Sequence, residues 1–241
     1  MNRVSKHFVA AAAFIALLFA LAALAQNNLF ARKWTAWTEG ECADVLNDSP
    51  WVAQANARID NAAVRDASGK GHMFFGVVSA QFLSALPIRQ ALVRQKQIES
   101  RYEQMTPEQR AAFDQKAAAC LDAEFFKDKV VVQVVLGAFS GAYRRAIEIS
   151  EWPGEANFIG AGQAQFVLTN GQKVRSLRAK RIAFPHCAPS DHRDFHFVFP
   201  RNLNGRPYIL PNDDRLEFRL SGVKGFQFYP RYMNYNGKLE Y

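Results

Sequence analysis

The chain runs to 241 residues, of which 49% are hydrophobic, 13% aromatic and 22% charged. That is apolar enough for a packed core, and no internal repeat or low-complexity tract argues for a solenoid or a disordered polymer. The 30 Lys and Arg against 22 Asp and Glu leave a formal charge of +8. This modest excess, spread along the chain, suits anionic surfaces such as envelope polymers, lipid headgroups or acidic proteins and does not mark a nucleic-acid binder.

Arg3 and Lys6 give a basic start, Phe8 to Leu24 carries no charge, and Ala23-Leu24-Ala25 offers the small-x-small pattern that signal peptidase reads. Residues 1–25 are therefore expected to be a cleaved signal peptide. The mature chain would run from Gln26 to Tyr241 as one α+β domain, periplasmic or secreted. An uncleaved anchor is the alternative, because the apolar run is slightly long for a signal core and slightly short for a span of about 20 residues. No later segment is apolar enough to cross a membrane. Without Arg3 and Lys6 the mature chain holds 28 basic against 22 acidic residues, or +6. Export permits a disulfide. Cys42, Cys120 and Cys187 allow three pairings with one sulfur left over, and spacing does not choose among them; three small buried thiols are the alternative.

Thr38 and Glu41 have capping-box spacing, in which each side chain satisfies the other's free backbone N–H. The helix they start carries Cys42, Val45 and Leu46 on one side and stops by Asp48-Ser49-Pro50, since proline disfavours helix at the residue before it. Trp34, Trp37 and Trp51 flank it. Trp34 and Trp37 can be read as an aromatic binding surface for stacking sugars or gripping a partner. They can also be read as anchors holding a short helix on the body, because aromatic side chains dominate core energetics.

Trp34-Thr35, Trp37-Thr38 and Leu46-Asn47-Asp48-Ser49-Pro50-Trp51, with Ser84-Ala85-Leu86-Pro87-Ile88-Arg89-Gln90-Ala91 further on, resemble the N-terminal half of an uncharacterised family of bacterial exported proteins. The Gly237-Lys238-Leu239-Glu240 ending is similar to that family too. The resemblance implies export. It implies no activity and no site residue.

Residues 53–70 are poor in large apolar side chains and read as a loop or weak helix. Met73 to Phe82 is the first strand. Ser84 offers an N-cap and Pro87 fits a first turn. An amphipathic helix then reaches about Gln104, with Arg89, Arg94, Lys96 and Arg101 on its wet side. Thr106-Pro107 starts a second helix running to about Glu124. Val130 to Phe139 is β-branched and almost uncharged, the profile of a buried strand. Met73 to Val78 is its expected neighbour, so the two helices form a hairpin inserted between early strands. The chain is thus helix-rich over 38–125 and β-rich over 126–241.

Beyond Phe139, residues 141–150 fit helix or strand equally, and Trp152-Pro153-Gly154 is a turn. Phe166 to Leu168 and Val174 to Ile182 flank Asn170-Gly171, a type I′ hairpin signal. Phe195, Phe197 and Phe199 alternate with His196 and Val198, as in a half-buried strand. Residues 202–214 form a long loop, Leu216 to Leu220 and Phe226 to Tyr229 are short strands, and Met233 to Tyr241 closes the sheet. The expected fold is α+β, with an antiparallel β-sandwich-like sheet, the helical hairpin and the Trp-flanked N-terminal helix.

One cluster invites chemistry: His186, Cys187, His192 and His196. Cys187, His192 and His196 have a zinc-like C-x4-H-x3-H spacing, with His186 as the fourth ligand. Against it, His192 falls in a turn and His196 on a strand, so the helical i, i+4 geometry that makes His-x3-His useful is missing. The plain alternative is a polar surface loop. The same residues with Asp191 or Asp194 supply a Cys/His pair, but nothing there lowers a thiol pKa. No Gly-x-Ser-x-Gly elbow, phosphate loop or dinucleotide fingerprint is present. The leading expectation is a non-catalytic binding or structural component of the cell envelope, with no cofactor and a partner that includes anionic envelope components. The alternative is a zinc protein or metal-dependent hydrolase. A binding module would show an exposed apolar or aromatic patch.

Overall fold

The structure, a computed structural model, describes residues 29–65, 71–122, 124–136, 164–180, 194–220 and 225–241. It is an α+β fold. Helix α1 (Glu39–Asn47) starts on the capping box of Thr38 and Glu41. It leads into a long antiparallel hairpin of β1 (Val52–Arg65) and β2 (Gly71–Phe82). Helices α2 (Leu86–Glu99) and α3 (Pro107–Leu121) follow, then the single turn α4 (Phe125–Asp128) and β3 (Lys129–Leu136). The expected helical hairpin therefore sits between two neighbouring strands, with Phe82 opposite Val132.

The expected loop over residues 53–70 is instead strand β1 as far as Arg65, paired with β2 from Val52–Gln81 to Arg65–Gly71 across a bulge, and residues 66–70 lie outside the described residues. Ala53, Ala55, Ala57 and Ile59 alternate with Gln54, Asn56, Arg58 and Asp60. With alanine in place of large β-branched residues, the period of two is easy to miss, and cross-strand pairing overrides a weak propensity. Ser84 is not the cap of α2; Ala85 is. The Ser84 hydroxyl accepts from the Val131 N–H at 3.1 Å and so ties the helix start to β3. Helix α2 stops at Glu99 because Arg101 turns left-handed at φ 52°, and a 3-10 turn covers Tyr102–Gln104. A second capping box, Thr106 with Gln109, opens α3. That helix ends at Leu121, short of the expected Glu124.

The strands β4 (Gln165–Val167), β5 (Lys173–Arg175), β6 (Arg178–Lys180) and β7 (Asp194–Pro200) do not lie in one sheet. Sequence pattern suggests one strand from Val174 onward, but the chain crosses between sheets at Ser176-Leu177. Ser176 donates to Ala164 O at 2.8 Å and Leu177 to Val198 O at 2.7 Å. With β10 (Leu216–Arg219) and β11 (Phe226–Phe228), the result is a five-stranded sheet, β1-β2-β3-β7-β6, and a four-stranded one, β11-β10-β4-β5. Phenylalanines from the two sheets meet ring to ring. Phe82 stacks on Phe166 at 5.8 Å, Phe166 meets Phe199 at 4.3 Å, and Phe82 meets Phe228 edge-on at 4.7 Å.

Three further expectations for the β-rich half change. The type I′ geometry is absent at Asn170-Gly171, where only Gly171 has a positive φ (82°) and its N–H closes a turn onto Leu168 O. That is a three-residue connection with a bulge glycine. Both central residues are left-handed at Asn204-Gly205, between β8 (Asn202–Leu203) and β9 (Arg206–Pro207), and at Asn236-Gly237, between β12 (Asn234–Tyr235) and β13 (Lys238–Leu239). These last two strands form their own hairpin and do not extend either larger sheet. Strand β7 is not half-buried: His196 and Val198 are as covered as Phe197 and Phe199. It lies between β3 and β6, where both faces are packed, so polar alternation is no guide to exposure.

Candidate functional site

The largest described cavity, about 690 Å³, opens between the end of β11 and the turn that follows α1. The local sequence builds it. Phe226 and Phe228 point into the core while Gln227 and Tyr229 face out, as a strand requires. Pro230 then starts a 3-10 turn over Pro230–Tyr232, closed by the Tyr232 N–H donating to Tyr229 O at 2.9 Å. Residues three apart eclipse in a 3-10 turn. Tyr229 and Tyr232 therefore share one side, with ring centres 6.4 Å apart. They are 41% and 59% exposed, an unusual outlay of aromatic surface.

Polar groups surround the rings. The Arg231 guanidinium lies 5.0 Å from the Tyr232 ring and 3.7 Å from Asp214. The Tyr229 hydroxyl donates to Gln227 at 3.3 Å, and Asn234 donates to Arg231 O at 3.3 Å. Across the cleft stand Ser49 and Pro50. Ser49 is 8% exposed, and its hydroxyl has no hydrogen-bond partner among the described residues. Phe30 backs the cleft, edge-on to Trp51 at 5.3 Å and to Trp37 at 6.0 Å. The arrangement is a pair of amphipathic rings beside Phe30, rimmed by amide, hydroxyl and guanidinium groups.

The tryptophans take different places. Trp37 is fully buried, and its indole N–H donates to Leu29 O at 3.3 Å, so it presents no face to a partner. Trp34 is half-buried and lines a separate cavity of about 480 Å³ beside α2 and α3. Several polar groups there are engaged already. Arg94 donates to Trp37 O at 3.0 Å and pairs with Glu103 at 2.9 Å. The Tyr102 hydroxyl donates to Asp114 at 2.8 Å, a bond that pushes its phenol pKa up.

Of the proposed zinc ligands, His186, Cys187 and His192 lie outside the described residues. His196 is buried, opposite Gln133 on β3, which lies opposite Gln81 on β2. Gln81 donates to the Gln133 carbonyl at 2.8 Å, so a polar ladder crosses one face of the sheet. Among the described residues no three His, Cys, Asp or Glu side chains group as metal ligands, and no helix is long and apolar enough to cross a membrane. Cys120 is in a disulfide, while Cys42 is a free thiol pushed up to about 11 by burial.

Sequence reasoning missed the tyrosine cleft. The signal was Tyr229-Pro230-Arg231-Tyr232, in which proline after a strand end predicts a tight turn and i, i+3 spacing aligns the rings. No family model, curated relative or solved structure matches the chain.

Proposed function

We propose that this chain is an exported, non-catalytic binding component of the bacterial cell envelope, and that the tyrosine cleft grips an envelope glycan. The observation that supports this reading is the exposed Tyr229–Tyr232 pair over a cavity with a polar rim. Sugar rings have apolar C–H faces and hydroxyl edges. Tyrosine faces suit the first, and Gln227, Asn234 and Ser49 suit the second. Arg231 and the net positive charge favour an anionic polymer. Export rests on the segment from Arg3 to Ala25.

The test is cosedimentation of the purified mature chain with isolated envelope polysaccharide, beside Tyr232→Ala and Tyr229→Ala. At 59% exposure Tyr232 can be truncated without a core penalty. Its loss is expected to weaken binding on the order of tenfold or more, the size of an aromatic hot spot. Equal binding by both variants would refute the site. N-terminal sequencing of the chain from an envelope fraction should begin at Gln26; a full-length cytosolic product would refute export.

A further inference from the structure

A third cavity, of about 520 Å³, gathers cations from three separate elements: Arg89 of α2, Lys127 of α4, and Arg201 just after β7. Asp122 and Glu240 stand on the same walls. Arg89 is expected on the wet side of an amphipathic helix, yet it is 7% exposed. Its Nη1 donates to the main-chain oxygens of Cys120, at 3.0 Å, and of Leu121. Its Nη2 donates to Ser84 O at 3.3 Å, and the Phe126 ring lies 4.7 Å away. Arg201 donates through Nη2 to the Tyr241 main-chain oxygen and sits 4.6 Å from the Tyr241 ring.

One donor of each guanidinium lacks an acceptor among the described residues. The Nε atoms of Arg89 and Arg201 are both buried, and neither has a hydrogen-bond partner among the described residues. The same holds for the hydroxyl of Tyr208, whose neighbourhood includes Arg201 and Tyr241. No described side-chain carboxylate forms an ion pair with either guanidinium. Glu240 instead accepts from the Leu86 N–H at 3.4 Å. Burial brings Arg89 down to about 10, with Glu240 opposing and Arg201 reinforcing the shift, so it remains a cation at neutral pH. Buried charged donors without acceptors are costly to keep. Such donors suit an anionic group with several oxygens. A carboxylate satisfies one guanidinium fork, whereas a tetrahedral phosphoryl group presents diverging oxygens that reach several cations at once.

We propose that the cavity of Arg89, Arg201 and Lys127 is an anion site for a phosphoryl group, either free phosphate or the phosphomonoester of a lipid headgroup. The cavity is separate from the tyrosine cleft, so the two readings stand or fall independently. Lys127 stands at the rim, 70% exposed at its side chain, and pairs with Glu124 at 2.5 Å. The test is calorimetric titration of the full mature chain with inorganic phosphate, against chloride at matched ionic strength, with Arg201→Gln and Lys127→Glu. Arg89 is left intact because it holds the end of α3. The wild type is expected to bind phosphate over chloride. Arg201→Gln should weaken binding on the order of tenfold or more, since a charge-assisted contact is lost. Lys127→Glu, a change at an exposed position, should weaken it severalfold and serves if Arg201→Gln does not fold. Sedimentation with phosphatidic acid vesicles, compared with phosphatidylcholine alone, separates the sources. Vesicle binding that inorganic phosphate competes away assigns a headgroup, and phosphate binding without it assigns free phosphate. No preference for phosphate over chloride, or wild-type affinity in Lys127→Glu, overturns the proposal.

Discussion

Trp51 offers the sharpest test of the view that the N-terminal tryptophans hold the fold and the tyrosines meet the partner. Its side chain is fully buried, edge-on to Phe30 at 5.3 Å and to Tyr235 at 6.4 Å. Its indole N–H donates to Glu240 O at 2.8 Å. Trp51→Ala removes about 200 Å² of buried aromatic surface, about 5 kcal/mol as an upper figure; measured truncations of this kind cost about 3–5 kcal/mol. Trp51→Phe keeps most of that surface and leaves the Glu240 carbonyl without its donor, about 1–3 kcal/mol. Set against a domain stability of about 5–15 kcal/mol, the alanine variant loses a large share of the total and the phenylalanine variant is folded with a slightly lower midpoint. Urea unfolding followed by circular dichroism measures both, with an unchanged slope showing that the unfolded state is unaltered. A loss below about 1.5 kcal/mol in Trp51→Ala would refute the anchoring argument, as would weaker glycan binding at full stability.

Phe166→Ala, at the meeting of the two sheets, should cost about 3–5 kcal/mol in the same unfolding assay, and Phe166→Leu about 1–2 kcal/mol. Gly205→Ala and Gly237→Ala, both at φ +75° with open space around the added carbon, should each lose about 1 kcal/mol from left-handed strain alone. Gly40→Ala, inside α1 with nothing within 4 Å, should gain about 0.5–1 kcal/mol in thermal unfolding. Glu41 is held below its ordinary 4.5, first by the Thr38 backbone N–H. Its contribution is therefore present above the unfolded value and lost as pH falls through the lowered folded value. Below about pH 4.5, Glu41→Gln and wild type should converge, with only a few tenths of a kcal/mol between them at pH 7 after solvent screening. With Cys42 buried and Cys120 bonded, Ellman's reagent should find no thiol in the native chain at pH 8, and one per chain in denaturant without reductant. Elemental analysis beside His192→Ala, His196→Ala decides the zinc alternative, which needs Cys187 as a thiolate and so excludes the single-thiol count: about one zinc per chain, lost in the variant, would support it and refute that count.

Local signals survived into the structure where a short-range rule governs them. Thr38 with Glu41 and Thr106 with Gln109 both form capping boxes, because a cap needs only its own turn. The valine run became β3 because continuous β-branched sequence suits a strand covered on both faces. Features set by partners were not legible. Alanine-rich β1 is a strand because β2 lies beside it. Arg89 looks like a solvent-facing helix residue until the ends of α3 and the segment after β7 close over it. Tyr229 ends an expected short strand and Tyr232 lies beyond it, and only the turn at Pro230 brings the two rings together.

The position of β7 between β3 and β6 has a consequence for biogenesis. Val132 must wait for Phe197 before its hydrogen bonds are made, so the chain emerges with a valine-rich strand whose outer edge stays open while the intervening segment is synthesised. Closing a loop of that length is slow, and a bare apolar edge is a template for pairing with another copy. In an exported chain the exposed interval would fall during and just after translocation. The hazardous species is then a nascent β1-β2-β3 ribbon, and a holdase that shields that edge would raise the yield of folded protein more than any agent that speeds helix formation.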